Sequence, residues 1–166
     1  MSNSELSCDF TTGVAYPTPF DRYVVSLAKS AARHICIQSP QLDYTAFDNS
    51  ELVDALSALA RSSRQAEVRI LINDSRALVG RSHKLLLLAR RLPSVVKLRK
   101  LAEHPQWNNE TIVIRDRDGV LYKPGGSDHD AFFEPDSGSS TVRHLELFDD
   151  LWRYSVEDPE LRSLHL

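Results

Sequence analysis

The chain has 166 residues, of which 42% are hydrophobic and 26% charged, and its formal net charge is -3. This length supports one domain with a sizeable core, the composition excludes a disordered or low-complexity protein, and so mild a charge singles out no partner. Its two cysteines, Cys8 and Cys36, offer neither a disulfide framework nor metal-ligand spacing, and the longest apolar run, residues 85–89, is far below the ~20 residues of a membrane span. With a polar, acidic N-terminus in place of a signal-peptide core, a reducing cytoplasmic setting is expected, and no cofactor is.

In chain order, residues 1–17 are Ser/Thr/Pro-rich without periodicity and are expected to form a flexible N-terminal segment. Residues 18–158 are expected to form a single domain and 159–166 a tail. Phe20, Val24, Leu27, Ala28 and Ala31 recur at helical spacing, which predicts a helix from about Thr18 or Pro19 to Arg33. His34 opens a β-branched apolar run that Pro40 closes, as a buried strand would. Asp48, Asn49 and Ser50 offer capping oxygens ahead of a helix carrying Leu52, Val53, Leu56, Leu59 and Ala60 on one face. Residues 67–72 form a second strand. A third helix carries Leu85, Leu86, Leu88, Ala89 and Leu92 and is broken by Pro93; residues 95–99 are the third strand.

Strands alternating with helices imply right-handed crossovers and parallel pairing, so the expected class is α/β, with a mixed, mainly parallel sheet and helices on both faces. Residues 111–114 then form a fourth strand, Asp118 and Gly119 a turn, and residues 120–122 a returning hairpin arm. The segment from Lys123 to Ser140 is rich in turn residues, interrupted by residues 131–133 as either a short edge strand or a plug on the core. Val142, Leu145, Phe148, Leu151 and Trp152 share one face of a last helix that Pro159 is expected to stop.

The charges are unevenly spread. Residues 75–102 hold eight Arg or Lys and no acid, whereas residues 116–160 hold twelve Asp or Glu. The basic stretch is either a solvated face or an anion-binding surface.

Asn109-Glu-Thr111-Ile-Val-Ile-Arg-Asp116 resembles the His-x-Lys-x-x-x-x-Asp strand of the phospholipase D superfamily. Phe148 and Trp152 are similar to the Phe-x-x-x-Trp helix that often closes its half-domains. With the order of elements, this likeness spans residues 20–155 and implies a single phospholipase D-like half. The chain also resembles a bacterial domain of unknown function found alone or fused behind acetyltransferase domains, although no pyrophosphate loop for acetyl-coenzyme A is present. Active superfamily members use the His as nucleophile, the Lys as a clamp on phosphate, and a second motif from another half or subunit. The resemblance therefore leaves room for a homodimer.

Here Asn109 stands at the His position and Thr111 at the Lys position, and only Asp116 matches. An amide is no nucleophile and exchanges no proton near neutrality, while a hydroxyl carries no charge to stabilise phosphoryl oxygens. Losing the nucleophile removes several kcal/mol of transition-state stabilisation. His104 is the alternative donor of an imidazole, if its loop folds back. Adjacent His83 and Lys84 cannot share a strand face and read as a helix cap. His129, between Asp128 and Asp130, needs further ligands to hold an ion and reads as a solvated loop, so no metal is expected. Gly125-Gly126-Ser127 lies near where the superfamily carries a Gly-Ser phosphate contact, or is a plain turn.

The expected function is a non-catalytic binding or regulatory module for an anionic ligand, nucleic acid or a protein partner. Its ligand-binding candidates are Arg76, Arg81, Lys84, Lys97, Arg99, Lys100 and Ser127. The alternative is a phosphodiesterase or nuclease with a rearranged site completed by dimerisation. An open pocket at Asn109 and Thr111 lined by Arg or Lys favours ligand binding; a filled one favours a protein-interaction role.

Overall fold

The computed structural model describes residues 9–162; Cys8 and most of the two expected terminal segments' outer residues lie outside them. The α/β class, the mixed sheet and the helices on both faces are as expected. Seven strands lie in the order β1-β7-β6-β5-β2-β3-β4: β1 Thr11–Val14, β2 His34–Gln38, β3 Glu67–Ile72, β4 Val96–Lys100, β5 Thr111–Arg115, β6 Gly119–Lys123 and β7 Ala131–Glu134. The parallel share is smaller than anticipated. Among the described residues only β2–β3 and β3–β4 run parallel, because every strand after β4 returns by a hairpin or meets β2 antiparallel.

Alternation along the strands sorts side chains between two cores. Ile35, Ile37, Val68, Ile70, Val113 and Leu121 point to one face, where helices α1 (Phe20–Ser30), α3 (Ser50–Ser62) and α4 (Lys84–Arg91) bury Leu27, Leu56 and Leu88. Cys36, Leu71, Ile112, Ile114 and Val120 point to the other, covered by Leu145, Phe148 and Leu151 of helix α5 (Gly138–Arg153). Asn49 caps α3 by accepting from the Leu52 N–H at 3.2 Å. His83 caps α4, its Nδ1 accepting from the Leu85 N–H at 3.1 Å while Nε2 meets the Leu42 carbonyl at 3.0 Å. Burial holds this imidazole below the ordinary histidine range.

The Phe-x-x-x-Trp spacing has a packing cause. Arg69, which rises from β3 onto the α5 face, is held by Asp149 at 2.9 Å and lies over the Phe148 and Trp152 rings at 5.0 and 5.6 Å. Residues four apart share a helix face, so the two aromatics together cover one guanidinium.

Several elements differ from expectation. β1 occupies part of the segment expected to be loose and pairs with β7, so residues 131–134 form an interior strand and β1 is the edge. A short helix α2, Tyr44–Phe47, follows β2. Helix α5 ends at Arg153, and Pro159 instead opens α6, Pro159–Arg162, where its missing N–H costs nothing.

Asp116 closes β5. Its φ is 49°, a left-handed conformation that Asp tolerates better than most residues, and its carboxylate accepts from the N–H groups of Ala32, Arg33 and His34 at 2.8, 2.9 and 2.8 Å. Partial burial opposes ionisation, but the three donors win and hold the carboxyl below its usual range. The stability this contributes is full above the unfolded-chain value of about 3.9 and is lost as pH falls through the lower folded value. Asp116→Asn, which keeps the backbone tolerance, is expected to lower stability by about 1–2 kcal/mol at pH 7, with a smaller loss at pH 3, as read from urea midpoints.

Candidate functional site

Chain topology makes a crevice before any side chain is considered. The path runs from β2 outward to β3 and β4, then returns across β2 to place β5 on its other side. Loops leaving the carboxyl end of β2 and entering β5 therefore diverge, and such a switch point is where open α/β sheets bind ligands. A pocket of about 230 Å³ lies there, lined by Gln41 and Asp43 after β2, Asn109 and Thr111 at the start of β5, Lys123 at the end of β6, and Tyr16.

The positions singled out by the resemblance thus separate. Asn109 and Thr111 face the pocket, whereas Asp116 serves the opposite end of β5. Asn109 has a φ of 67° and stands exposed in the turn before the strand; Thr111 is 3% exposed, on the strand itself. Gly125 makes that turn possible: a Cβ there would meet the Asn108 carbonyl oxygen at 2.1 Å, so only glycine lets the two loops approach.

Lys123 is the residue that sequence reasoning missed. It pairs across the hairpin with Thr111, so both side chains share one sheet face, and an ammonium from β6 enters where the motif's own Lys is absent from β5. Counting outward from the turn after Asp116 would have found this pairing. Its side chain is 9% exposed, donates to the Pro124 carbonyl at 3.2 Å, pairs with Asp128 at 3.2 Å and lies over the Tyr16 ring at 4.9 Å. Tyr16 in turn donates its phenol proton to Asp43. Burial first, then the Asp43 hydrogen bond, push the phenol's pKa far up, so it stays protonated. Neither Tyr16 nor Asp43 carried a sequence signal, since both sit in irregular loops.

Among the described residues, the Thr111 hydroxyl and the Asn109 and Gln41 side-chain amides make no protein hydrogen bond. One ammonium, one hydroxyl and two amides can solvate an anion in this small pocket, whose one lining carboxylate, Asp43, is occupied by the Tyr16 phenol proton. None of them is the imidazole that the resemblance calls for. The Cys36 thiol is held protonated, because burial pushes it up to about 12 despite the neighbouring Arg69.

His104 lies elsewhere. Its Nδ1 accepts from the Gln106 N–H at 3.1 Å, its ring centroid is 5.8 Å from that of Tyr154, and it borders a broad depression of about 830 Å³ that Asn109 also touches. Trp107, from the same loop, is buried on the α5 side of the sheet, its indole N–H bonded to the Glu110 carbonyl at 2.9 Å.

The basic stretch does not gather into one surface. Lys97 and Arg99 point to the α5 face of β4 while Lys100 points to the other, and Arg76, Arg81 and Lys84 lie in and after the loop following β3. Nor is it acid-free in space. Arg76 pairs with Asp74 at 2.7 Å, Lys84 with Asp48 at 3.7 Å, Lys97 with Glu67 at 3.2 Å and Lys100 with Asp158 at 3.9 Å. Arg81 lies over Tyr44 and Arg99 over Trp152, at 5.7 and 5.0 Å. Ser127 accepts from the His129 N–H at 3.1 Å within its own turn. No group of three metal-ligating side chains converges, and no helix is long and apolar enough to cross a membrane, among the described residues.

This architecture is that of the phospholipase D fold, which solved structures share. Nuc of Salmonella typhimurium, a phospholipase D family member, superposes with a TM-score of 0.63 at 20% identity, over 90% of this chain and 99% of its own. NucT of Helicobacter pylori gives 0.61 at 14% identity, over 90% and 100%. The archaeal chromatin protein TrmBL2, described as showing a novel mode of DNA binding, also gives 0.61 at 14% identity, but the match covers 89% of this chain and only 52% of TrmBL2. The chain belongs to a family described as a domain of unknown function, DUF7931, whose profile matches residues 16–164. No curated protein matches it.

Refilling the motif position by substitution is expected to fail. Thr111→Lys would set a second ammonium directly opposite Lys123, and like charges facing each other in a buried pair are destabilising. A loss on the order of 3 kcal/mol is expected in chemical denaturation, with no phosphodiesterase activity gained even when combined with Asn109→His.

Proposed function

We propose that this chain is a non-catalytic phospholipase D-like half that binds an anionic group in its cleft and so acts as a binding or regulatory module. The observation that carries this reading is the pocket itself, open at Asn109 and floored by Thr111 and Lys123, in which charge and hydrogen-bonding capacity persist without the motif's imidazole. At about 230 Å³ it is smaller than the roughly 300–1,000 Å³ of drug-sized sites, which suits a phosphate group and a short stub of its carrier. Paired and divided between two faces, the basic stretch supports a contributory role at most. Residues 18–158 with β1 work as one unit in this reading, in a cytoplasmic setting, alone or as a homodimer.

Nucleic acid is the ligand class to test first, because the phospholipase D-like fold of TrmBL2 belongs to a DNA-binding chromatin protein. Titration with single- and double-stranded DNA and RNA, and with inorganic phosphate, is expected to show at least one saturable interaction that weakens as salt rises. Absence of binding by all five at low salt overturns the reading.

A second reading, a phosphodiesterase with a site rearranged around His104 and completed by a second subunit, draws on the depression that His104 and Asn109 share. Turnover of bis(p-nitrophenyl)phosphate that His104→Ala abolishes would establish it. The non-catalytic reading expects no turnover above background across pH and added metals.

A further inference from the structure

The counter-charge of Lys123 is oddly chosen for a buried cation. A desolvated ammonium requires a partner, and the usual solution is an equally buried carboxylate. Lys123 has instead Asp128, whose side chain is 63% exposed while its own is 9% exposed. Asp128 lies on the loop after Gly125 and Gly126, and reaches the ammonium from outside the pocket lining. Its main chain is fixed independently, since the Asp128 carbonyl accepts from the Tyr16 N–H at 2.8 Å. Releasing the carboxylate therefore takes rotation of one short side chain into water, with no loop movement.

We propose that Asp128 is a built-in competitor: its carboxylate holds the anion position beside Lys123, and a phosphate group enters by displacing it. This rests on the anion-binding reading of the pocket. The exchange is favourable in kind on both sides. Asp128 returns to solvent it already largely faces, so little desolvation opposes its departure. The phosphate keeps Lys123 neutralised and brings additional oxygens within the pocket for the Thr111 hydroxyl and the Asn109 amide, neither of which the carboxylate engages. Without ligand, the ammonium is never left buried and alone. Affinity is thereby set by a residue outside the pocket, and a ligand with one charge and two oxygens, such as a carboxylate, gains little over the occupant it replaces.

The test is equilibrium binding of inorganic phosphate to the full chain at low ionic strength, comparing wild type, Asp128→Asn, and Asp128→Asn combined with Lys123→Met. Asp128→Asn leaves Lys123 its Pro124 carbonyl and Tyr16 ring contacts and keeps the main-chain bond to Tyr16, so the variant is expected to fold at some cost in stability, which thermal unfolding measures directly. Removing the competitor should tighten phosphate binding by up to about five-fold, the range set by loss of one ion pair, and the added Lys123→Met should abolish that gain. Equal or weaker binding by Asp128→Asn, with wild type still binding, overturns the competitor while leaving the anion-binding pocket intact. Failure of wild type and Asp128→Asn alike to bind millimolar phosphate overturns both.

Discussion

Three backbone N–H groups converging on one carboxylate hold this molecule's two halves in register. Asp116 ends β5 and binds the chain where it enters β2, so the one antiparallel junction between the parallel strands and the hairpin strands is pinned at its far end. Everything at the near end follows from that alignment. With β5 fixed against β2, Thr111 is fixed beside the carboxyl end of β2, the hairpin sets Lys123 opposite Thr111, and the diverging loops leave the crevice between them. The residue that best matches the phospholipase D motif is thus a structural one, placed at the opposite end of its strand from the pocket.

Charge is handled differently in the two parts of the sheet. Along β3 and β4 the cations are paired with carboxylates or covered by aromatic rings, as with Arg69 beneath Phe148 and Trp152. Such surface pairs add little stability, about 0–1 kcal/mol each, but with those of Arg76 and Lys84 they weaken the field that a run of eight cations would otherwise project. At the pocket, by contrast, a single buried ammonium is balanced by the exposed Asp128 carboxylate, Asp43 is bonded to Tyr16, and the Thr111 hydroxyl and the Asn109 and Gln41 amides stay without protein partners. Density of charge in the sequence and availability of charge in the structure are opposite here.

What could be read from the sequence was whatever depends on near neighbours. Apolar periodicity located α1, α3 and α4, the β-branched runs located β2 and β3, Asn49 was one of three capping candidates, and His83 read as a cap. Long-range pairing was illegible. The donors to Asp116 lie 82 to 84 residues earlier, and the acids that pair with Lys84, Lys97 and Lys100 come from Asp48, Glu67 and Asp158. β1 is four residues of Thr-Thr-Gly-Val with no alternation to detect, formed because the β7 edge needed a partner. Of the candidate site's lining, Asn109 and Thr111 were legible; Lys123 required the hairpin register, and Tyr16 and Asp43 required the fold.

The proposed role requires that the cleft between β2 and β5 hold a phosphate group and leave it unchanged. Backbone amide NMR during titration with a simple phosphodiester addresses it directly, with the phosphorus signal followed in the same tube. Saturable shifts centred on Thr111, Lys123 and Gly125, with the diester signal constant over days, are the predicted result. Shifts confined to residues 75–102, or a growing monoester signal from pure protein, would contradict it.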